Sequence, residues 1–421
     1  MAAALLAVLA LAPLAGAAND PERSRQWGLD MIEADAAHQT TTGSGAVVAV
    51  IDTGVDAAHQ DLAGRLLPGH DFVDKDDTPQ DGNGHGTHVT GIVAADTGNG
   101  IGVSSVAPGA QVLPIRVLDD SGSGTDADVI AGIDYAISKK VDVINLSLGG
   151  LPVSALDSGG DFAAALQRAV DAGIVVVAAA GNDSLPICEQ PGIQGKMLCV
   201  GAVDKRGMRS FFSSGDGAAI MAPGGSAAPG TDEDVLSTLP GNQYGEIAGT
   251  SQATPHVSGV AALLVQHGLH GQAVVDRVLA TASDAGVPGP DPVYGVGIVN
   301  ARAAVAGLGG GGSGGSGSGS GGSARGGISL HRVQHFKAVL SKGIRSRCHA
   351  TAAGACSITV KHGATIANGS HTLKKAGTAT LTVRPTAAGR KLLQRGHAFT
   401  ATATLVAPGA AKRTVQLTFR R

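Results

Sequence analysis

GTSQATPHVSG, residues 249–259, sets a Gly-Thr-Ser turn directly ahead of an apolar run, Val257–His267, whose spacing predicts a helix. A hydroxyl at a helix start ordinarily caps it, accepting a hydrogen bond from an orphan amide. Ser251 gains a second reading from what lies upstream. AVVAVIDTGVD puts Asp52 at the end of a strand, and DGNGHGTHVTG puts His85 where a Gly-rich turn feeds a helix. Ligands of open parallel sheets gather at the carboxyl ends of strands. A serine hydroxyl is a useful nucleophile only when a base takes its proton. An imidazole titrating near neutrality can take that proton and pass it to a leaving amine. A buried carboxylate then fixes the imidazole tautomer. Asp52, His85 and Ser251 fit these roles; His59, His88 and His256 lack the Gly-flanked setting of His85.

The fold class follows from alternation. Ala46–Ile51, Gln111–Val117, Val141–Leu146, Ile174–Ala179 and Leu198–Val203 are apolar and β-branched, without polar alternation. Thr87–Ala95, Asp126–Lys139 and Phe162–Ala172 have helical length and spacing. Strand and helix in turn imply an α/β, doubly wound parallel sheet covered on both faces. With 43% hydrophobic but only 3% aromatic residues, its core must be Ala, Val, Ile and Leu.

Four segments are expected. Residues 1–18 read as a signal peptide, which implies secretion to the extracellular space. No pro-region stands between that leader and Asn19. This leaves unaided folding, with calcium as a driver, or a start placed too far downstream. Residues 19–306 form the main domain, and the Gly/Ser run 307–327 is a flexible linker. Residues 328–421 change pattern: Thr378–Val383, Ala398–Val406 and Thr414–Phe419 alternate like half-buried strands, as in a small β-sandwich. Of the chain's 31 Lys and Arg, 17 lie from Arg325 onward with none of the 34 Asp and Glu, leaving 14 basic against 34 acidic residues before it. The basic segment therefore suits an anionic surface such as cell-wall polymer or acidic polysaccharide. Nothing after the leader is long and apolar enough to span a membrane, and nothing suggests more than a monomer. In an oxidising compartment Cys188 with Cys199, and Cys348 with Cys356, would each close a small disulfide loop.

VIDTGVD, GHGTHVTG and GTSQATPHVSG resemble the three signature segments of the subtilisin-like serine proteases, in that family's chain order. The similarity runs from about Asn19 to Leu308, and NDPERSRQWGL, DFVDKDDTPQDGNGHGTH and VLDDSGSGT resemble the thermitase branch. The C-terminal segment resembles secreted Ig-like modules through weaker cues. The first resemblance implies a serine endopeptidase acting through an Asp52–His85–Ser251 triad and an acyl-enzyme, on polypeptide substrates. It implies Asn182 as oxyanion donor, with Ser147, Leu148 and Gly149 as one substrate wall and Ala179, Ala180 and Gly181 as the other. Structural calcium is implied too. One site would use Asp71, Asp76, Thr78 and Gln80. A second would use Asp20, Asp61 and Asn99 with backbone oxygens of Asp96, Ile101 and Val103. Position 252, usually Met in this family, is Gln here. A processing protease or peptide cyclase of the same fold, or an inactive adhesive protein, are the competing readings.

Overall fold

The computed structural model describes residues 19–149, 160–185, 188, 197–215 and 218–308. Toward the C-terminus it describes residues 327–329, 333–335, 339–340, 344–350, 352–375, 377–395, 399–408 and 412–420. Residues 1–18, read above as a signal peptide, and nearly all of the Gly/Ser run lie outside the described residues. The chain divides into two compact units, Met1–Ser313 and Gly314–Arg421.

The first unit is built on seven strands: β1 (Val47–Asp52), β2 (His70–Asp71), β3 (Gln111–Arg116), β4 (Val143–Leu146), β5 (Val175–Ala179), β6 (Leu198–Val203) and β7 (Ile220–Pro223). They pair in the order β2-β3-β1-β4-β5-β6-β7. Every pairing is parallel. A hairpin, β8 (Val235–Leu239) with β9 (Gln243–Ile247), stands apart from this sheet. The helices are α1 (Trp27–Met31), α2 (Ala34–His38), α3 (His85–Ala94), α4 (Asp126–Ser138), α5 (Asp161–Asp171), α6 (Thr250–Val265), α7 (Gln272–Thr281) and α8 (Ala301–Val305).

The absence of polar alternation in the strands has its reason in two cores. Val48 and Val50 of β1 pack with α3, α6, α7 and α8 on one face. Ala49 and Ile51 pack with α4 and α5 on the other. Successive strand side chains point to opposite faces, so a sheet covered twice needs apolar residues throughout. Strand order reverses at β1, whose neighbours are β3 and β4. Asp52, the last residue of β1, therefore lies at the switch point where such sheets bind ligands.

The structure corrects one expectation. Helix α6 begins at Thr250, before Pro255, and Ser251 lies inside its first turn; the cap position is Gly249, without a side-chain bond. Proline in a helix interior removes a donor to the carbonyl four residues back. That carbonyl belongs to Ser251, and it accepts the Ser147 hydroxyl at 2.7 Å instead. The helix thus tolerates Pro255 because another element supplies the missing bond.

In the second unit eight strands between Gly327 and Arg420 join in one array that is antiparallel except where Val333–His335 pairs with Arg413–Arg420. Its core holds Ile358, Val360, Val383, Ala403, Leu405 and Phe419. A short helix, α9 (Ala387–Gln394), adds Leu393 to it. The expectation of a small all-β unit holds. Cys356 is buried and disulfide-bonded, while the side chain of Cys348 lies outside the described residues.

Gly86, at the start of α3, makes a steric prediction. A Cβ there would sit 2.1 Å from the carbonyl oxygen of Gly54, so either α3 or the turn after β1 must move. Gly86→Ala should destabilise the first unit by about 1–3 kcal/mol, read as a lower denaturant midpoint with an unchanged slope.

Candidate active site

Asp52 is fully buried. Its Oδ1 accepts the amide of Thr53 at 2.8 Å and His85 Nδ1 at 2.7 Å. An ionised carboxylate only accepts, so Nδ1 carries the proton and Nε2 keeps its lone pair. Burial is the largest influence on His85 and opposes its charge. The charge and hydrogen bond of Asp52, with the charge of Asp81, outweigh it, and the imidazole pKa stands raised above the ordinary 6.5.

The turn that delivers His85 is held by Asp81, which sequence reasoning missed. Its Oδ1 accepts the amides of Asn83 and Gly84 and the Thr53 hydroxyl; its Oδ2 accepts the Thr87 amide and hydroxyl. Thr53 Oγ1 in turn accepts the Gly86 amide at 2.9 Å. Gly84, at φ 104°, adopts a backbone conformation that a side chain would strain. The available signal was an Asp ahead of Gly-Asn-Gly, a turn-forming pattern.

The other three candidate histidines are buried and bonded to backbone. His88 Nε2 meets the carbonyls of Val235 and Gly245, and burial pushes its pKa down to about 3. Burial pushes His256 down to about 4, with Nδ1 against the Gln252 carbonyl. His59 is buried, bonded to the Gln243 carbonyl and the Asp61 amide.

Ser251 and His85 face one open cleft of about 650 Å³, which Asn182 also lines. Asn182 Oδ1 accepts the Thr250 amide at 2.9 Å and the Thr250 hydroxyl at 3.1 Å. With its oxygen so committed, the Nδ2 group remains as the donor. The Ser251 amide, in the first turn of α6, has no partner within the helix. Ser147, Leu148 and Gly149 line the cleft, as do Ala179 and Gly181. Ala180 is turned away, into a cluster with Cys199, Ala218, Met221 and Tyr294. Strand alternation accounts for this, since every second residue faces the opposite side. Cys188 and Cys199 form a disulfide with a Cα–Cα distance of 6.5 Å, tying the segment after Asn182 to β6.

The two acidic loops differ in how they suit a cation. Asp20 and Asp61 are both buried, and neither has an Arg or Lys partner among the described residues. Asp20 accepts the amides of Gly98 and Gly100 and the Ser104 hydroxyl. Asp61 accepts Asn99 Nδ2 and the Val103 amide. Burial first, then the charge of Asp20, raise the Asp61 pKa. Two buried carboxylates wrapped by the loop that carries Asp96, Ile101 and Val103 are a donor set that fits a hard divalent ion. In the other loop Asp71 Oδ2 meets Arg116 at 2.7 Å, Asp71 Oδ1 accepts the Val73 and Asp74 amides, and Asp76 Oδ1 accepts the Thr78 amide. Thr78 and Gln80 are exposed there. Arg116 meets Asp71, Asp74 and Asp120 at once, so one fixed cation already faces Asp71 here, whereas Asp20 and Asp61 have none among the described residues.

Comparison with known proteins agrees with this geometry. The Subtilase family matches residues 43–297. Thermitase of Thermoactinomyces vulgaris is 42% identical over 289 residues, 68% of this chain and 98% of that protein. Subtilisin E of Bacillus subtilis is 43% identical over 296 residues, 68% of this chain and 73% of that protein. The solved structure of a protease from Pseudoalteromonas arctica matches with a TM-score of 0.64 at 34% identity, covering 70% of this chain and 100% of that one. A parallel sheet with a paired Asp and His at its switch point, and a serine in the same cleft, thus belongs to a chain of the subtilase family, the serine-type endopeptidases.

Proposed function

We propose that this chain is a secreted endopeptidase that cleaves extended polypeptides through Asp52, His85 and Ser251, by way of an acyl-enzyme. The observation that carries the reading is the 2.7 Å bond from His85 Nδ1 to buried Asp52, which leaves Nε2 free in the cleft that Ser251 lines. Ser251 Oγ bonds to the scissile carbonyl carbon while His85 Nε2 takes its proton. The carbonyl π electrons move onto oxygen, where Asn182 Nδ2 and the Ser251 amide donate to the oxyanion. Collapse breaks the C–N bond, and His85 returns the proton to the leaving amine. Water then attacks the ester by the same proton path and frees Ser251. The walls at Ser147–Gly149 and Ala179–Gly181 bind substrate as an added strand, largely through backbone.

Secretion rests on the leader at 1–18, and no described helix is long and apolar enough to cross a membrane. Calcium at Asp20, Asp61 and Asn99 would neutralise the buried charge and brace the loop beside α3. The C-terminal unit, basic and without acids, suits attachment to an anionic polymer such as cell-wall polysaccharide.

Fluorophosphonate should label the folded wild type and not Ser251→Ala; no label on the wild type would overturn the reading. His85 acts as a base only when neutral, so activity falls as pH drops through its pKa. Because that pKa is raised, the acid limb of kcat/KM should lie above 6.5. Asp52→Asn should move the limb down and cut kcat on the order of 10⁴-fold, the loss known for other triad proteases. Chelation should lower Tm by on the order of 5 °C at saturating calcium, with Asp61→Asn abolishing that response.

A further inference from the structure

The cleft is asymmetric in charge. Among the described residues that line it, Asp126 and Asp183 are carboxylates and none is Lys or Arg. Asp126 stands out from the acidic residues around it. Asp119 accepts the amides of Ser121 and Ser123, Asp120 is paired with Arg116, and Asp128 holds the Thr125 hydroxyl. Asp134, farther along α4, is paired with Arg168. Asp126 has no hydrogen bond or ion pair of its own among the described residues, and it is exposed on the cleft wall.

What lies below it gives the carboxylate a use. Val129, one turn further along α4, shares its helix face and lines the same cleft. Leu118, Leu148 and Phe162 complete an apolar patch around Val129, continuous with the core between the sheet and α4 and α5. An apolar recess with a carboxylate at its rim suits one kind of side chain: a long aliphatic stem that ends in a cation. Leu148 follows Ser147, whose hydroxyl bonds the Ser251 carbonyl, so the recess adjoins the Ser147–Gly149 wall proposed to pair with the substrate.

We propose that Asp126 is a specificity-determining residue that selects Lys or Arg at the one substrate position that reaches this recess. The aliphatic stem lies over Val129, Leu148 and Phe162, and the ammonium or guanidinium meets the Asp126 carboxylate. The inference rests on the endopeptidase reading and adds a substrate class to it: extended polypeptides carrying basic residues. An exposed pair of this kind discriminates modestly.

The test is a peptide library in which Lys, Arg, norleucine and Glu are scanned through four positions on either side of the bond. Wild type should prefer Lys and Arg over norleucine about three- to fivefold in kcat/KM at one of the scanned positions, less at high salt. Asp126→Asn should remove the preference at that position while leaving turnover of the norleucine peptide within about twofold. Asp126→Lys should reverse it in favour of Glu. Asp134→Asn, the same charge change farther along α4, should leave it intact. An unchanged preference in Asp126→Asn overturns the proposal while the enzyme still cleaves and takes the fluorophosphonate label. Absence of both cleavage and label overturns the endopeptidase reading, and the proposal falls with it.

Discussion

Three buried hydrogen bonds fix helix α6 against the sheet, and the active site is registered on that contact. The Ser258 hydroxyl donates to Asn145 Oδ1, Asn145 Nδ2 donates to Ser147 Oγ, and the Ser147 hydroxyl donates to the Ser251 carbonyl. Asn145 and Ser258 are wholly buried and Ser147 nearly so. Breaking one bond strands a polar group in a dry interior, which costs about 1–3 kcal/mol. Helix α6 therefore cannot slide along β4 by even part of a turn. Pro255 makes the arrangement possible, since the helix itself has no amide for the Ser251 carbonyl. The residue that would normally break a helix leaves open the acceptor by which this one is aligned.

The acidic half of the site is positioned differently. A buried carboxylate without a cation is costly, and Asp52 Oδ2 has no hydrogen-bond partner among the described residues. Oδ1 has two donors, the Thr53 amide and His85 Nδ1, and the imidazole beside it can serve as a counterion. Asp81 binds five donors from the strand end, the turn and the first turn of α3. It thereby fixes the helix start relative to β1. The 2.7 Å contact from Asp52 to His85 follows from this framework and from the close approach of Gly86 to Gly54.

Much of this was legible in the sequence, for physical reasons that also explain what was not. Asp52, His85 and Ser251 each stand in a run where glycines, small residues and an apolar element coincide. The parallel sheet was legible because both its faces are buried, so its strands are uninterrupted apolar runs. The two-residue β2 offers no such run. Pro255 hid the true start of α6, because a proline inside a helical pattern normally marks a boundary. Asp81 with Thr53, and Asn145 with Ser258, were illegible because their partners are 28 and 113 residues away. A polar residue in an apolar run reads as an interruption until its distant partner is known. The inward turn of the Ala180 side chain follows from strand period alone and leaves its backbone in the proposed wall.

Chemistry and selection are therefore written into different parts of this fold. The groups proposed to move protons sit where backbone approaches backbone too closely for a side chain, or where a buried polar atom must be satisfied. Few residue types fit such positions, and their sequence context is distinctive. The groups that would choose a substrate sit on the exposed stretch Ser121–Asp126, where sterics impose almost nothing. Among the described residues the Asp126 carboxylate has no hydrogen bond or ion pair, and its internal contribution is a negative charge in the first turn of α4. Its neighbours Asp119, Asp120 and Asp128 each have such a bond or pair. Freedom from internal bonding separates a side chain that recognises a ligand from one that only shapes the loop. That distinction depends on partners in space, which a single sequence does not display.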